Sequence, residues 1–268
     1  MSLGIAIKAP EGVVLAAESR VALTAPVDGG HLPIYFDNAT KMFGFEEPNN
    51  FVGLVTYGMA AIGQRTAHSF LPELEASLKA KQEGRLSVVT MADRISEFYM
   101  AQWASAMPKD YAGPAMTFLI GGFEEDQAYG RVFQVDLPFR PQPVEHNPGD
   151  TQFGITWGGQ REFVDRLIQG YDSQLFAILK KEASLSDDDV LQLQKATAPL
   201  QMKLPLNAMA LQDCVDLALF FIRTTIAAQE LTVGIRGCGG HIDVATITRR
   251  EGLKYVQRKR IRGERREA

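Results

Sequence analysis

Two short apolar runs open the chain, residues 3–7 (LGIAI) and 13–17 (VVLAA), separated by Lys8-Ala9-Pro10-Glu11-Gly12. Continuous apolar runs of this length, bounded by turn residues, predict two buried strands joined as a hairpin. Glu18, Ser19 and Arg20 leave the second strand. A polar stretch with Gly and Pro from Thr24 to Pro33 predicts a loop. Thr40–Phe45 and Phe51–Tyr57 then form a second apolar pair around Glu46-Glu47-Pro48-Asn49-Asn50, so four strands are expected before any helix.

From Gly58 the period changes. Ile62, Arg65, Thr66, Ser69, Phe70, Leu74 and Leu78 fit one helix ending near Gly84. Val88, Met91, Ala92, Ile95, Phe98, Tyr99 and Trp103 fit a second, at i, i+3, i+4 and i+7 spacing. Strands are expected again at Met116–Gly121, Arg131–Asp136 and Gln152–Thr156, followed by helices near 160–181, 186–196 and 208–229. Ile242–Thr248 and Leu253–Arg258 close the pattern as strands. Strands and helices arriving in blocks do not give the strict alternation of a doubly wound fold. The expectation is an α+β protein: a four-layer αββα sandwich of two mainly antiparallel sheets flanked by helices.

Composition narrows the class. With 268 residues, 46% hydrophobic and 22% charged, the chain is long enough for a sizeable core and unlike disordered, collagenous or coiled-coil sequences. Its two cysteines, Cys214 and Cys238, indicate no disulfide framework and fit a reducing cytoplasm. The opening MSLGIAIKAP lacks a secretory pattern, and no run of 18 apolar residues predicts a membrane span. The net charge of −4 hides an asymmetry: residues 249–268 carry nine basic against three acidic residues, a net of +6, leaving −10 on the rest. That tail holds a single aromatic residue, Tyr255, so it is expected to be a solvated or subunit-bridging segment rather than a nucleic-acid or membrane-binding one.

The chain has no phosphate-binding GxxxxGK[ST] loop, no GxGxxG, GxSxG, HExxH or CxxC motif. His31, His68, His146 and His241 are too dispersed for a local metal pair, and no cofactor is expected. Three segments carry a more specific signal. SLGIAIKAPEGVVLAAESR, then KMFGF with FVGLVTYGMAA, then FLIGGFEEDQAYGRVFQVD with the late GGHIDVATITR, occur in one order over most of residues 2–250. In that arrangement the sequence resembles the proteasome β-subunit family of N-terminal-nucleophile hydrolases, in its bacterial form. The resemblance implies one proteasome-like domain over 1–250, with extra stretches near 22–36 and 180–206 and a basic segment at 251–268. It also implies self-assembly into rings, with an ATPase or other regulator left open, and a polypeptide as substrate.

The chemistry of such a fold needs a hydroxyl residue whose own free α-amine accepts its proton, with a nearby cation lowering the amine's pKa. Ser2 becomes N-terminal on removal of Met1, and its spacing to Glu18 equals the family's spacing from nucleophile to first acidic residue. The resemblance places Lys41 as the lysine that positions the hydroxyl, Glu18 as its counter-ion in place of the more usual Asp, and Gly58 as the backbone N–H donor to the oxyanion. Thr56 and Ala60, flanking Gly58, would line a substrate pocket. Taken singly, a second-position serine, an acid–lysine pair and a glycine after a strand carry no chemistry, and Cys238 reads as a small buried thiol. The family's helper serine falls at Gly158 or Gly159, and the acidic residue expected before GGHIDV is missing from VGIRGCGG. If Gly4 is used as the anchor instead, the nucleophile position precedes Met1. Two further readings therefore stand: a non-catalytic ring subunit, and an N-terminal-nucleophile amidohydrolase acting on a small amide.

Overall fold

The computed structural model describes residues 2–80, 84–149, 152–261 and 263. The chain begins with strands β1 (Leu3–Ala9), β2 (Gly12–Glu18), β3 (Val21–Val27), β4 (Gly30–Phe36), β5 (Met42–Gly44) and β6 (Val52–Gly58), then the two-residue strands β7 (Ala61–Ile62) and β8 (Arg65–Thr66). Helices α1 (Leu71–Lys79) and α2 (Val88–Ala106) lead to β9 (Met116–Gly122), β10 (Arg131–Leu137), β11 (Arg140–His146) and β12 (Gly154–Gly159). Helices α3 (Glu162–Gln169), α4 (Leu175–Glu182), α5 (Asp187–Thr197) and α6 (Leu211–Leu231) precede β13 (Ile242–Thr248) and β14 (Gly252–Gln257).

Two antiparallel five-stranded sheets form the middle layers, in the orders β12-β1-β2-β13-β14 and β11-β10-β9-β6-β5. Because successive side chains on a strand point to opposite faces, each central strand serves two cores. Leu3, Ile5, Ile7 and Ala9 of β1 pack with Val164 of α3 and with Cys214, Ala218 and Phe221 of α6. Ala6 faces the other way, into the space between the sheets, with Val13, Leu15, Val55, Leu119 and Ile247. On the far side Val52, Leu54, Phe118 and Ile120 meet Leu74 of α1 and Met91, Ile95 and Tyr99 of α2. Burial on both faces is why β1, β2 and β9 read as unbroken apolar runs rather than alternating ones. The result is the expected αββα sandwich, and no helix among the described residues is long and apolar enough to cross a membrane.

Several local expectations are corrected. The stretch from Thr24 to Pro33 is not a loop: it lies in the β3–β4 hairpin, with Val21 opposite Phe36 and Val27 opposite Gly30. Asp28-Gly29 makes the turn, with Gly29 at φ 87°, a pairing that favours two-residue hairpin turns. Pro26 and Pro33 are tolerated because each strand of a two-stranded ribbon is an edge. The helix expected from Ile62 starts only at Leu71, since Ile62–Arg65 is a small hairpin and Ala67–Phe70 a 3-10 turn, with Pro72 in the first turn of α1. The helix expected over 160–181 is two helices, α3 and α4, because Gly170 stops the first in a left-handed conformation at φ 82°. Strand β11 was hidden by Pro141 and Pro143, which an outer strand accommodates. In the 180–206 stretch, α5 starts from a capping box between Ser186 and Asp189 and buries none of its residues. The strand expected at Leu253–Arg258 is present as β14, on the edge of the β12-β1-β2-β13 sheet.

Candidate active site

The N-terminal hairpin and the second sheet meet at Glu18. Gly4 pairs with Ala17 across the hairpin, so the antiparallel register sets Glu18 opposite Leu3, one residue past Ser2. The Leu3 N–H donates to Glu18 Oε1 at 3.3 Å, and the same oxygen accepts the ammonium of Lys41. Glu18 Oε2 accepts the N–H groups of Arg20 at 2.7 Å and Gly239 at 3.1 Å. The carboxylate is thus fully used, and it ties β1, β2, the segment before β5 and the turn before β13 to one point.

Lys41 reaches this point from the other sheet. Its carbonyl accepts the Thr56 N–H at 2.8 Å, and its ammonium donates to Glu18 and to the Arg20 carbonyl. Both side chains are buried. Burial pulls the Lys41 pKa below its ordinary value; the charge of Glu18 and the hydrogen bond to it act in the opposite direction, and burial prevails. The site is therefore a cation held out of water by a single carboxylate and a carbonyl.

Ser2 is buried at the start of β1, its carbonyl accepting the Gln160 N–H at 2.7 Å. Gly159, at φ 91°, seats that carbonyl so closely that a Cβ there would overlap it. Gly158 is equally constrained, because the hydroxyl of Tyr57 occupies the volume a side chain would need. No helper serine could stand at either glycine without moving β1 or Tyr57. Gly58 ends β6 at φ 84°, where a Cβ would strike the Ala115 carbonyl, so only glycine makes this turn without strain. Thr56 is buried and its hydroxyl has no hydrogen-bond partner among the described residues. By strand alternation it shares Leu54's face, toward α1 and α2. Ala60 follows Gly58, half-buried, in the link to β7.

Glu18, Lys41 and the residue next to Ser2 are thus brought together, with Thr56 beside Lys41 through the β5–β6 edge. Other members of the cluster carried no site assignment from sequence. Arg20 clamps Asp37 through Nε at 2.6 Å and Nη2 at 2.8 Å, and donates through Nη1 to the carbonyl of Cys238 at 3.3 Å. Ser19 donates its hydroxyl to the His241 carbonyl at 2.7 Å. The Glu-Ser-Arg triplet after a buried strand was the visible signal. Gln229 gave none beyond being a polar residue on the buried face of α6; it accepts the Cys238 N–H at 2.8 Å and donates to Gln160 at 3.0 Å. Cys238 is fully buried, and burial, with Glu18 nearby, raises its thiol pKa, which leaves it protonated and unreactive as a nucleophile.

Two antiparallel five-stranded sheets flanked by helices, with β1 inside one of them, make the four-layer αββα sandwich. Neither a protein-family model nor a curated protein sequence matches the chain. In structure 309 solved chains match it, so the architecture is widely shared and does not by itself select an activity. One of them is a mutant of Anbu from Hyphomicrobium sp. strain MC1, with a TM-score of 0.57 and 16% sequence identity over 97% of this chain and 87% of that one. At that identity the likeness carries the fold and not the chemistry.

Proposed function

We propose that this protein is a proteasome-like peptidase that hydrolyses peptide bonds in polypeptides through Ser2, after removal of Met1. The observation that supports this best is the buried Lys41–Glu18 pair, whose carboxylate also holds the N–H of the residue following Ser2. In this reading the Ser2 α-amine takes the proton from its own hydroxyl, directly or through water, while the neighbouring Lys41 cation keeps the amine from holding a proton at neutral pH. Ser2 Oγ attacks the carbonyl carbon, and the Gly58 N–H steadies the oxyanion. The C–N bond breaks as the α-ammonium returns its proton to the leaving amine. Water then cleaves the ester with the same amine as base, releasing a free carboxylic acid and regenerating Ser2. Glu18 holds Lys41 in place, and Thr56 and Ala60 line the substrate pocket.

A second reading, a non-catalytic ring subunit, is favoured by Gly158 and Gly159, where packing leaves no room for a supporting hydroxyl. Intact-mass spectra before and after incubation with a peptide epoxyketone, which needs both a free α-amine and its adjacent hydroxyl, separate the two. Loss of Met1 with one adduct per chain, abolished in Ser2→Ala, is the expected result. Retained Met1 without adduct, in a particle of several subunits, would overturn the catalytic reading in favour of the second. A small-amide hydrolase would instead form the adduct without requiring rings.

A further inference from the structure

A cavity of about 610 Å3 opens between the outer strands of the two sheets, with Tyr57 in its lining. One wall is β12. The Gln160 N–H bonds the Ser2 carbonyl; by antiparallel alternation, Gly158 and Thr156 then bond inward to β1, and Ile155 and Trp157 turn their N–H and C=O groups outward. Among the described residues no strand pairs with that edge. An unpaired edge beside a cavity is a template for an extended peptide.

The floor is already satisfied. Asp136 Oδ1 accepts the Thr117 hydroxyl at 2.7 Å and Gln134 Nε2 at 2.9 Å, while Oδ2 accepts Gln134 Nε2 at 3.1 Å and the Arg140 guanidinium. A carboxylate so occupied does not call for a metal or a ligand cation; it fixes Arg140. Gln134 Oε1 in turn meets His146 Nε2 at 3.0 Å. Burial holds the His146 pKa below its ordinary value, so the neutral ring donates from Nε2 and leaves Nδ1 as an acceptor. At the rim, Arg161 Nε donates to both oxygens of the fully buried Asp165, at 3.1 and 2.8 Å, and Asp165 also accepts Trp157 Nε1 at 2.8 Å. Arg140 and Arg161 remain 69% and 48% exposed, and both line the cavity. Among the described residues the Nη groups of Arg161 have no hydrogen-bond acceptor. Two guanidiniums are thus fixed from behind by buried carboxylates, with free N–H donors toward the opening. That arrangement suits a carboxylate.

We propose that this cleft docks an extended peptide as an outer strand on β12, its C-terminal carboxylate held by Arg140 and Arg161. The occupant is the product of the hydrolysis proposed above, and to that extent the inference rests on that reading. Amide hydrolysis creates one new carboxylate on the acyl fragment, and Gly159, which seats the Ser2 carbonyl, also lines this cavity. The chain's own tail, at net +6 over residues 249–268, is repelled by the same two arginines.

The test uses the full chain as Ser2→Ala, so that nothing is cleaved, and titrates an acetylated alanine–valine hexapeptide bearing either a free C-terminal acid or an amide, followed by calorimetry. The acid should bind about tenfold or more tightly than the amide. Arg161→Lys, which keeps the charge against Asp165 but removes the guanidinium fork, should erase that preference, and N-methylation of alternate peptide residues should weaken binding only at every second position. Equal affinity of acid and amide would overturn the docking site; if the unsubstituted protein also forms the epoxyketone adduct, the hydrolase reading survives. Acid preference in a protein that forms no adduct would overturn its own product as the occupant.

Discussion

Glu18→Gln isolates what the buried pair contributes. The native carboxylate accepts hydrogen bonds from Lys41 and from the backbone of Leu3, Arg20 and Gly239. A glutamine amide has one acceptor end and one donor end, so whichever way it turns, its NH2 faces donors. Each group orphaned in this way costs about 1–3 kcal/mol, independent of pH. The charge effect is different, because Lys41 can shed its proton. Its folded pKa already lies below 10.5, and losing Glu18 removes the two largest influences that raise it. Between the folded pKa and 10.5 the unfolded chain holds more protons than the folded one, so stability rises with pH across that window. The penalty from the charge can never exceed that of folding with a neutral lysine, about 1.4 kcal/mol for each pH unit below 10.5. That ceiling is about 5 kcal/mol at pH 7 and about 2 kcal/mol at pH 9. It brackets the ~3–5 kcal/mol typical of breaking a buried pair. Urea unfolding of the variant and the parent, followed by circular dichroism, should therefore show a destabilisation that shrinks by up to ~3 kcal/mol between pH 7 and pH 9. Adding Lys41→Met should restore most of the loss at pH 7. A destabilisation that is the same at both pH values would refute the premise that an uncompensated Lys41 charge is its source.

Three further outcomes follow from the packing. Gly159→Ala, at φ 91° and against the Ser2 carbonyl, should lower thermal stability by at least ~2 kcal/mol, whereas Gly30→Ala, with open space around it, should change it little. Lys259→Met takes the ammonium away from the buried Asp243 and leaves it, among the described residues, only the backbone N–H of residue 259, at 2.8 Å; a loss of ~3 kcal/mol or more in denaturant unfolding is expected, recovered by adding Asp243→Leu. Thr56→Val removes a buried hydroxyl that has no partner among the described residues, and calorimetric melting should show it neutral or stabilising by up to ~1 kcal/mol. A loss beyond that would mean the hydroxyl is bonded after all.

Much of the fold was legible in the sequence because it rests on local periodicity. The runs at 3–7 and 13–17 read as buried strands, and Val88 to Trp103 fits an amphipathic helix; both stand, as Leu3–Ala9 with Gly12–Glu18 and Val88–Ala106. The order of blocks then fixed the sandwich. Where the reading failed, the local signal was weaker than the context that overrode it: prolines in β3, β4 and β11 are excluded from central strands but not from outer ones, and which strands are outer is a property of the sheet. For the site, spacing alone brought Glu18 opposite the residue after Ser2, because an antiparallel hairpin converts sequence separation into distance. Lys41 is another matter. It lies on the other sheet, across the Val21–Phe36 hairpin, and only the packing of the two sheets sets its ammonium against Glu18. The same holds for Gln229 and Asp136, which meet Gln160 and Thr117 outside their own elements. Desolvation decides the chemistry of Lys41, and desolvation depends on everything that packs around a residue, which no local pattern records.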